Sequence, residues 1–254
     1  LIKVSEQVGV RHDAGRALLR LAHLLTTDQR NEIAVELLKG LEVGEYEFSK
    51  YIPEYLGEFA LWLPPEQLDD IIERLHILLA NGNERIVSVA LDTLGVLLEC
   101  YSRYTVRFHE SEEVSEERRM KLLGLILSCL ANYREQVRQE ALLVIGQHIF
   151  GSQILAERDK SRMFSICAKK LLFLLNENKG GELSLYYRAA TLSHIDRFIA
   201  HYQLFGGLVE TSTREKIAFF PGTFDPFTLS HKEIAKKIQE LGFTVFLAID
   251  EFSW

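Results

Sequence analysis

The sequence predicts a mostly α-helical protein that ends in a short strand–helix–strand unit. Apolar residues recur at helical spacing in one segment after another over residues 1–205. Glycines and short polar residues interrupt this pattern at 206–213. Two apolar runs of strand length follow, 217–220 and 243–249, with one amphipathic segment between them. These observations predict a helical domain over 1–210 and a small α/β domain over 211–254.

The helices of the first domain are predicted from apolar stripes and from start and stop signals. Pro64 and Pro65 mark the start of one helix, because proline is accepted in a first helical turn. Ser115 is interpreted as the N-cap of another, since Glu116 and Glu117 suit the positive end of a helix. The predicted helices lie at 13–25, 31–41, 66–79, 84–101, 116–130, 134–149, 162–175 and 186–199.

A weak internal repeat runs through the helical domain. Five similar segments carry anchor residues that lie 35 to 51 residues apart, at Ala22, Gly57, Gly95, Gly146 and His194. Small side chains at most of these anchors allow two helices to pack closely. The segments 86–95 and 138–146 resemble the second helix of a HEAT repeat. This resemblance implies a HEAT-like α-solenoid of stacked helix pairs, with an irregular helical bundle as the alternative.

The small domain is predicted to contain two parallel strands joined by a helix. The strands are 217–220 and 243–249, the helix is 229–241, and Gly242 is its C-cap. A single crossover unit of this kind leaves strand edges unpaired and one apolar face uncovered. We therefore expect it to pack against the helical domain, to dimerise or to remain poorly ordered.

The junction between the first strand and this helix is the candidate functional site. It reads Gly-Thr-Phe-Asp-Pro from Gly222 to Pro226, followed by Thr-Leu-Ser-His from Thr228 to His231. Backbone amides at the start of a helix can hold phosphate oxygens. Thr228 and His231 are three residues apart and can share the first helical turn. A histidine there can supply a proton or a positive charge near neutral pH. Lys232, Lys236 and Lys237 add positive charge to the same helix.

This junction resembles the signature of the nucleotidyltransferase superfamily that includes nicotinate-mononucleotide adenylyltransferase, phosphopantetheine adenylyltransferase and glycerol-3-phosphate cytidylyltransferase. The resemblance covers residues 214–254 and implies a Rossmann-like α/β fold, truncated here. It departs at Ser230, where the family has glycine. By resemblance, Thr228 and His231 are the catalytic residues. The residues of the nucleotide site implied in the same way are Gly222, Thr223, Phe224, Asp225 and Ser230.

The resemblance also implies an activity. A nucleoside monophosphate would pass from a nucleoside triphosphate to a phosphorylated acceptor such as nicotinate mononucleotide, with release of pyrophosphate and with Mg²⁺ expected on the triphosphate. Pro226 favours ATP over CTP, hence an adenylyltransferase of NAD biosynthesis, whereas the tail 248–252 is reminiscent of cytidylyltransferases. The family has a second phosphate motif further on. Because the chain begins at Leu1 and ends at Trp254 without that motif, we expect a fragment that is inactive alone.

The alternative interpretation is a protein-interaction scaffold. The helical domain would then bind a protein along a concave face, and the transferase domain would be degenerate or regulatory, as Ser230 suggests. Asp250 and Glu251, after the second strand, are weaker candidates for contact with substrate or metal. The acidic segment 110–117 is interpreted as a solvated loop, and the dispersed histidines and Trp62 as ordinary surface or core residues.

Composition narrows the function classes. The net charge of −7 argues against nonspecific nucleic-acid binding. No apolar run reaches the length of a transmembrane helix, and no signal peptide is visible. The three cysteines, Cys100, Cys129 and Cys167, are too far apart for a zinc or disulfide framework and are predicted to be buried thiols. These features favour a cytoplasmic location. Oligomerisation is left open.

Overall fold

The computed structural model of the protein is mostly helical, with one small two-stranded parallel sheet near the end of the chain. This confirms the mostly α fold class at the level of secondary structure. The chain forms two compact units, Leu1–Leu208 and Val209–Trp254. The structure describes residues 6–43, 49–176, 183–209, 216–222 and 226–249.

The described part of the first unit is built of α-helices joined by short turns. Two short 3₁₀ turns, Ala22–Leu24 and Cys129–Ala131, extend helix ends, and α7 continues into a π-helical turn at Ile145–Phe150. The helices are α1 Val8–Leu21, α2 Thr27–Val43, α3 Ile52–Ala60, α4 Pro65–Leu79, α5 Glu84–Phe108, α6 Glu112–Ser128, α7 Glu135–Val144, α8 Glu157–Asn176 and α9 Leu183–Leu204.

The starts of α4 and α5 lie within one residue of their predicted positions, whereas α1, α2, α8 and α9 start three to five residues earlier than predicted. α4 begins at Pro65, as predicted. The prediction of Ser115 as the N-cap of α6 is wrong. Ser111 is the cap, and its hydroxyl accepts from the Val114 amide at 3.3 Å. Ser115 lies one turn further on, buried, with its hydroxyl 2.6 Å from that of Thr105 on α5. Ser115, which the sequence marked as a cap, therefore takes part in a tertiary contact instead.

Several helices are longer than predicted, and in α5 aromatic contacts extend the buried face. α5 reaches Phe108 rather than residue 101. The ring centroids of Tyr101 and Tyr104 are 5.3 Å apart, and those of Tyr104 and Phe108 are 4.5 Å apart. Both tyrosines are fully buried. Burial of these large rings stabilises the last two turns of α5.

The core of the first unit is organised around α5. This helix packs against α3 and α4 on one side and α6 and α7 on the other, while α9 packs against α8 and the π-helical turn. Its buried stripe includes Leu91, Leu94, Leu97 and Leu98. All three cysteines are buried free thiols, as predicted.

Glycines lie at the closest helix crossings. A Cβ on Gly57 of α3 would lie 2.6 Å from the Val96 side chain of α5, and one on Gly95 would lie 2.7 Å from that of Val144. A Cβ on Gly146 would lie 2.8 Å from the His201 ring of α9. Real Cβ atoms do not approach other atoms so closely. The sequence-based expectation that small anchors permit close helix packing is confirmed at these three positions.

The second unit follows the predicted order. Strand β1, Lys216–Gly222, is followed by helix α10, Leu229–Glu240, and by strand β2, Phe243–Ile249. The strands are parallel, with Lys216 opposite Phe243 and Gly222 opposite Ile249. Gly242 ends the helix with φ +84°, a backbone conformation that favours glycine.

One face of this sheet is open. Ile217, Phe219 and Phe246 are 47%, 74% and 50% exposed, and Phe219 pairs directly with Phe246. Since side chains alternate between the two faces of a strand, Ile217 and Phe219 point to the same side. α10 packs against β2. Within the second unit taken by itself, these three apolar side chains are left uncovered, as predicted for a single crossover unit.

Candidate functional site

Thr228 and His231 meet at the first turn of α10. Thr228 is the N-cap, with the extended backbone angles φ −89° and ψ 165°. Its Oγ1 accepts from the His231 amide at 3.4 Å. The Thr228 amide in turn donates to Nδ1 of His231 at 3.2 Å. The two residues therefore form a reciprocal capping box, with histidine in the position where glutamate or glutamine is usual.

This geometry selects the tautomer of the His231 side chain. Nδ1 accepts from a backbone N–H and lies 3.1 Å from the Thr228 hydroxyl. In the neutral imidazole only one ring nitrogen carries hydrogen, so that hydrogen is on Nε2. His231 thus presents a hydrogen-bond donor at Nε2, while Nδ1 holds the start of the helix.

Two aromatic rings orient the imidazole. The ring centroid of Phe220, near the end of β1, is 6.2 Å from that of His231 in an edge-on arrangement. The ring of Phe227 is 5.7 Å away. His231 is partly exposed, whereas Thr228 and Ser230 are exposed. The strand end and the helix start are therefore connected through one side chain.

The remaining predicted nucleotide-site residues are only partly described. Gly222 is the last residue of β1 and is half-buried. Ser230 lies in the first turn of α10, and its hydroxyl and Cβ add bulk on the exposed side. Thr223, Phe224 and Asp225 lie outside the described residues, as do Asp250 and Glu251. Lys232, Lys236 and Lys237 are exposed on α10.

The chemistry available at this junction is hydrogen-bond donation to an anion. The amides of a helix start carry partial positive charge, and the Nε2–H of His231 adds a side-chain donor. Thr228 has a competing structural task, because its hydroxyl accepts from the His231 amide and also contacts the imidazole. Any contact of Thr228 with a ligand would have to coexist with the cap or replace it.

A second polar cluster, which the sequence did not indicate, lies in the first unit. His148, in the π-helical turn, is 2.8 Å from Oδ1 of Asp92 through Nε2 and 2.9 Å from Oε2 of Glu99 through Nδ1. Burial disfavours its charge, but the hydrogen bonds to the two carboxylates outweigh burial and raise the pKa of His148 to about 9. Burial also acts to raise the pKa of Glu99, yet hydrogen bonds from His148 and Ser152 hold it below its usual value. The only feature of the sequence that points to this cluster is that Asp92 and Glu99 lie two helical turns apart on one face of α5.

The acidic segment 110–117 is not the solvated loop that the sequence suggested. Most of it belongs to α6, and the side chain of Glu110 is only 9% exposed. Oε1 of Glu110 lies 3.2 Å from Arg118, and the Tyr101 hydroxyl donates to Oε2 at 3.0 Å. Contacts with Tyr101 on α5 and Arg118 on α6 therefore accompany the burial of Glu110.

Trp62 likewise differs from a simple core residue. It is half-exposed, and the guanidinium of Arg107 lies 3.5 Å above its ring centroid. Arg107 donates to the Leu61 carbonyl and Arg30 donates to the Ala22 carbonyl at 2.8 Å. These arginines have a structural role, because they satisfy carbonyl groups at helix ends.

None of the described helices has the length and apolar character needed to cross a membrane. Nor do the described His, Cys, Asp and Glu side chains form a group of three or more arranged to hold a metal ion.

Comparison with known proteins does not assign this chain to a family. No protein-family model matches the sequence, and no curated protein matches it. Among solved structures, the chain is similar to an engineered protein of the Northeast Structural Genomics Consortium, with 15% identity, 96% of each chain covered and a TM-score of 0.33. A second engineered protein from the same consortium shares 14% identity over 82% of this chain and 85% of that chain, with a TM-score of 0.31. Such TM-scores are too low to establish a common fold.

Proposed function

We propose that this chain is part of a nucleotidyltransferase. The enzyme transfers a nucleoside monophosphate, AMP in preference to CMP, from a nucleoside triphosphate to a phosphorylated acceptor such as nicotinate mononucleotide. Pyrophosphate is the leaving group. The single observation that carries the proposal is the Thr228–His231 capping box, which follows a β-strand and holds the imidazole of His231 at the start of a helix through Nδ1.

In this proposal the site works by neutralising charge on phosphate oxygens. Phosphoryl transfer requires mainly positioning and electrostatic stabilisation of the charge that develops on those oxygens. His231 donates from Nε2 to a phosphate oxygen, and the first amides of α10 hold a second one. Phe220 and Phe227 keep the imidazole in this orientation at no entropic cost during the reaction.

The other nucleotide contacts are assigned from the resemblance alone. Gly222, Thr223, Phe224, Asp225 and Ser230 would line the nucleotide site. Mg²⁺ would be carried on the triphosphate oxygens. Since the described residues include no metal-holding group of three or more side chains, no step of the proposal depends on protein ligands to that ion.

The proposal extends to the architecture. The first unit would be a HEAT-like α-solenoid, and the second would be a truncated Rossmann-like unit. The close crossings at Gly57, Gly95 and Gly146 support repetition of one packing mode along the first unit. The three buried thiols fit a reducing, cytoplasmic location.

Binding of ATP and CTP, each with Mg²⁺, by the intact chain is the direct test. His231→Gln is the informative variant, because glutamine can keep the reciprocal cap at this position but removes the imidazole. Thr228→Ser is the matched control, since serine caps equally well. We expect wild type and Thr228→Ser to bind nucleotide and His231→Gln to bind at least about tenfold more weakly, the effect of one lost hydrogen bond to a charged group. Equal binding by His231→Gln would limit His231 to a capping role and overturn the assignment.

Pyrophosphate release tests the reaction itself. The measurement combines ATP or CTP with nicotinate mononucleotide and other phosphorylated acceptors, using both this chain and a longer form that includes a second phosphate motif. Release that depends on the acceptor and disappears in His231→Gln would support the enzyme. Nucleotide binding without release in either form would exclude these acceptors.

A scaffold function is the second candidate, and Ser230 favours it. Its exposed side chain stands in the first turn of α10, where a nucleotide would approach the backbone. In this reading the transferase unit is degenerate and the helical unit binds a protein along a concave face. Ser230→Gly separates the two functions: nucleotide binding gained only by that variant would indicate a degenerate site, whereas equal binding by wild type would argue for the enzyme.

A further inference from the structure

The turn Ile145–Phe150 is a π-helical segment that continues α7. A π turn accommodates one extra residue in a helix and has poorer hydrogen-bond geometry than an α turn. Here the Gly151 amide donates to the Gly146 carbonyl, five residues earlier, at 2.8 Å. Such a turn persists only where side-chain contacts stabilise it.

Contacts from two directions hold this turn. On one side His148 reaches Asp92 and Glu99 of α5 and lies against Gly95 of the same helix. On the other side, Phe150 packs against Phe198 and Tyr202 of α9, with ring centroids 5.3 Å and 5.0 Å apart.

The polar side of this arrangement requires two donors on one imidazole. Asp92 Oδ1 faces Nε2 at 2.8 Å and Glu99 Oε2 faces Nδ1 at 2.9 Å. A carboxylate is an acceptor, so both nitrogens must carry hydrogen, as in imidazolium. A neutral imidazole has only one N–H. It would leave one carboxylate against a lone pair at hydrogen-bond distance, and one of the two contacts would have to break.

We propose that His148, Asp92 and Glu99 form a proton-operated lock, in which the imidazolium holds the π-helical turn against α5 and loss of its proton releases the turn. Release frees α7 from α5 at the Gly95 crossing and weakens the connection through Phe150 to α9. The device makes the order of this helical layer depend on pH.

The surrounding charges are consistent with this assignment. On α5, Arg103 lies near Glu99 and forms an ion pair with Glu58 of α3 at 2.6 Å, while Ser152 hydrogen-bonds Glu99. On α7, Glu140 lies near Asp92; burial raises its pKa first, and repulsion from Asp92 adds to this. From α9, His201 faces Gly146 of the turn, and from α8, Phe164 contributes an aromatic ring. The charges acting directly on His148 are therefore the two carboxylates of α5.

The pH range follows from the sign of the shift. The pKa of His148 is raised from 6.5 to about 9 in the folded protein. A raised pKa means that the lock is fully closed below pH 6.5, loses strength as the pH rises, and is open above about 9. Each pH unit in this range changes the opening equilibrium by about tenfold.

Hydrogen exchange of the amides from Gly146 to Gly151 in the intact chain, compared at pH 6.5 and 9.5, tests the lock. We expect their protection factors, corrected for intrinsic exchange, to fall on the order of a hundredfold between these pH values. In parallel, the ring nitrogen chemical shifts of labelled His148 should report titration near pH 9.

Glu99→Gln is the decisive variant. The glutamine amide can donate to Nδ1 of a neutral His148 whose Nε2–H still donates to Asp92, so protection should become nearly independent of pH while the fold is kept. The control variant is His76→Gln. His76 is exposed on α4, outside the π-helical turn, and its Nδ1 lies 3.6 Å from Oε1 of Glu73 on the same helix. This variant should keep the wild-type pH dependence. Unchanged wild-type protection between the two pH values, titration of His148 near 6.5, or an equal loss of protection in Glu99→Gln would overturn the proposal.

Discussion

Replacing Gly57 by alanine tests whether the α3–α5 crossing depends on the absence of a side chain. The added Cβ would lie 2.6 Å from Cγ1 and 2.7 Å from Cβ of Val96, and 3.3 Å from the backbone oxygen of Thr93. Val96 is 7% exposed and β-branched, so its χ1 has little freedom in a helix. A backbone oxygen cannot move independently of its helix. The two helices would therefore have to separate.

Two opposing terms set the magnitude. Overpacking a tight core site costs about 1–3 kcal/mol. Alanine in place of glycine inside a helix returns about 0.5–1 kcal/mol. We expect Gly57→Ala to lower the free energy of unfolding by about 1–2 kcal/mol. Gly124→Ala, in α6, is the matched control: nothing lies within 4 Å of its Cβ position, and it should raise the free energy of unfolding by about 0.5–1 kcal/mol.

Urea denaturation followed by far-UV circular dichroism measures both variants against wild type. The signal reports mainly on the first unit, because that unit holds most of the helices. The reasoning is refuted if Gly57→Ala is as stable as wild type, or if both alanine variants change stability in the same direction by the same amount.

Three further predictions concern single contacts. Ser111→Ala removes the cap on the Val114 amide and should cost about 1 kcal/mol of stability in a urea titration, and a neutral result would show that this hydrogen bond does not stabilise the start of α6. Cys167 is fully buried, and burial raises the pKa of its thiol to about 12, so a thiol reagent at pH 8 should label it only after unfolding; rapid native labelling would contradict this. Phe164, which is partly buried, stacks on Tyr202 with centroids 4.0 Å apart, and Phe164→Ala should lower stability by about 1–3 kcal/mol in thermal or urea unfolding, whereas an unchanged stability would show the stack to be incidental.

Local patterns predicted the elements better than their ends. The two strands, α10 and the glycine that ends it were predicted correctly, because apolar runs, helical periodicity and a glycine stop are properties of neighbouring residues. The prediction of Ser115 as the cap of α6 was wrong, because Ser111 is the cap. Both serines precede suitable residues, and only the contact between Ser115 and Thr105 of α5 distinguishes them.

The candidate site, like the helices, could be predicted only in part from the sequence. Thr228 and His231 are three residues apart at a helix start, so their meeting follows from helical geometry alone. The Nε2–H tautomer of His231 did not follow from spacing, because it depends on which backbone N–H the ring nitrogen accepts from. The nucleotide assignment remains a proposal that rests on the motif and this geometry.

By itself, the sequence determined the described helices of the first unit except α3, Ile52–Ala60, which was not among the predicted helices. It also determined the strand–helix–strand order near the end of the chain and the glycine anchors at Gly57, Gly95 and Gly146. Each of these depends on short-range periodicity or on the conformational freedom of one residue. The tertiary structure alone decided the environment of His148, which lies 56 residues from Asp92 and 49 from Glu99 along the chain. Its charge, its pKa and the π-helical turn around it depend on burial and on partners that only packing brings within 3 Å.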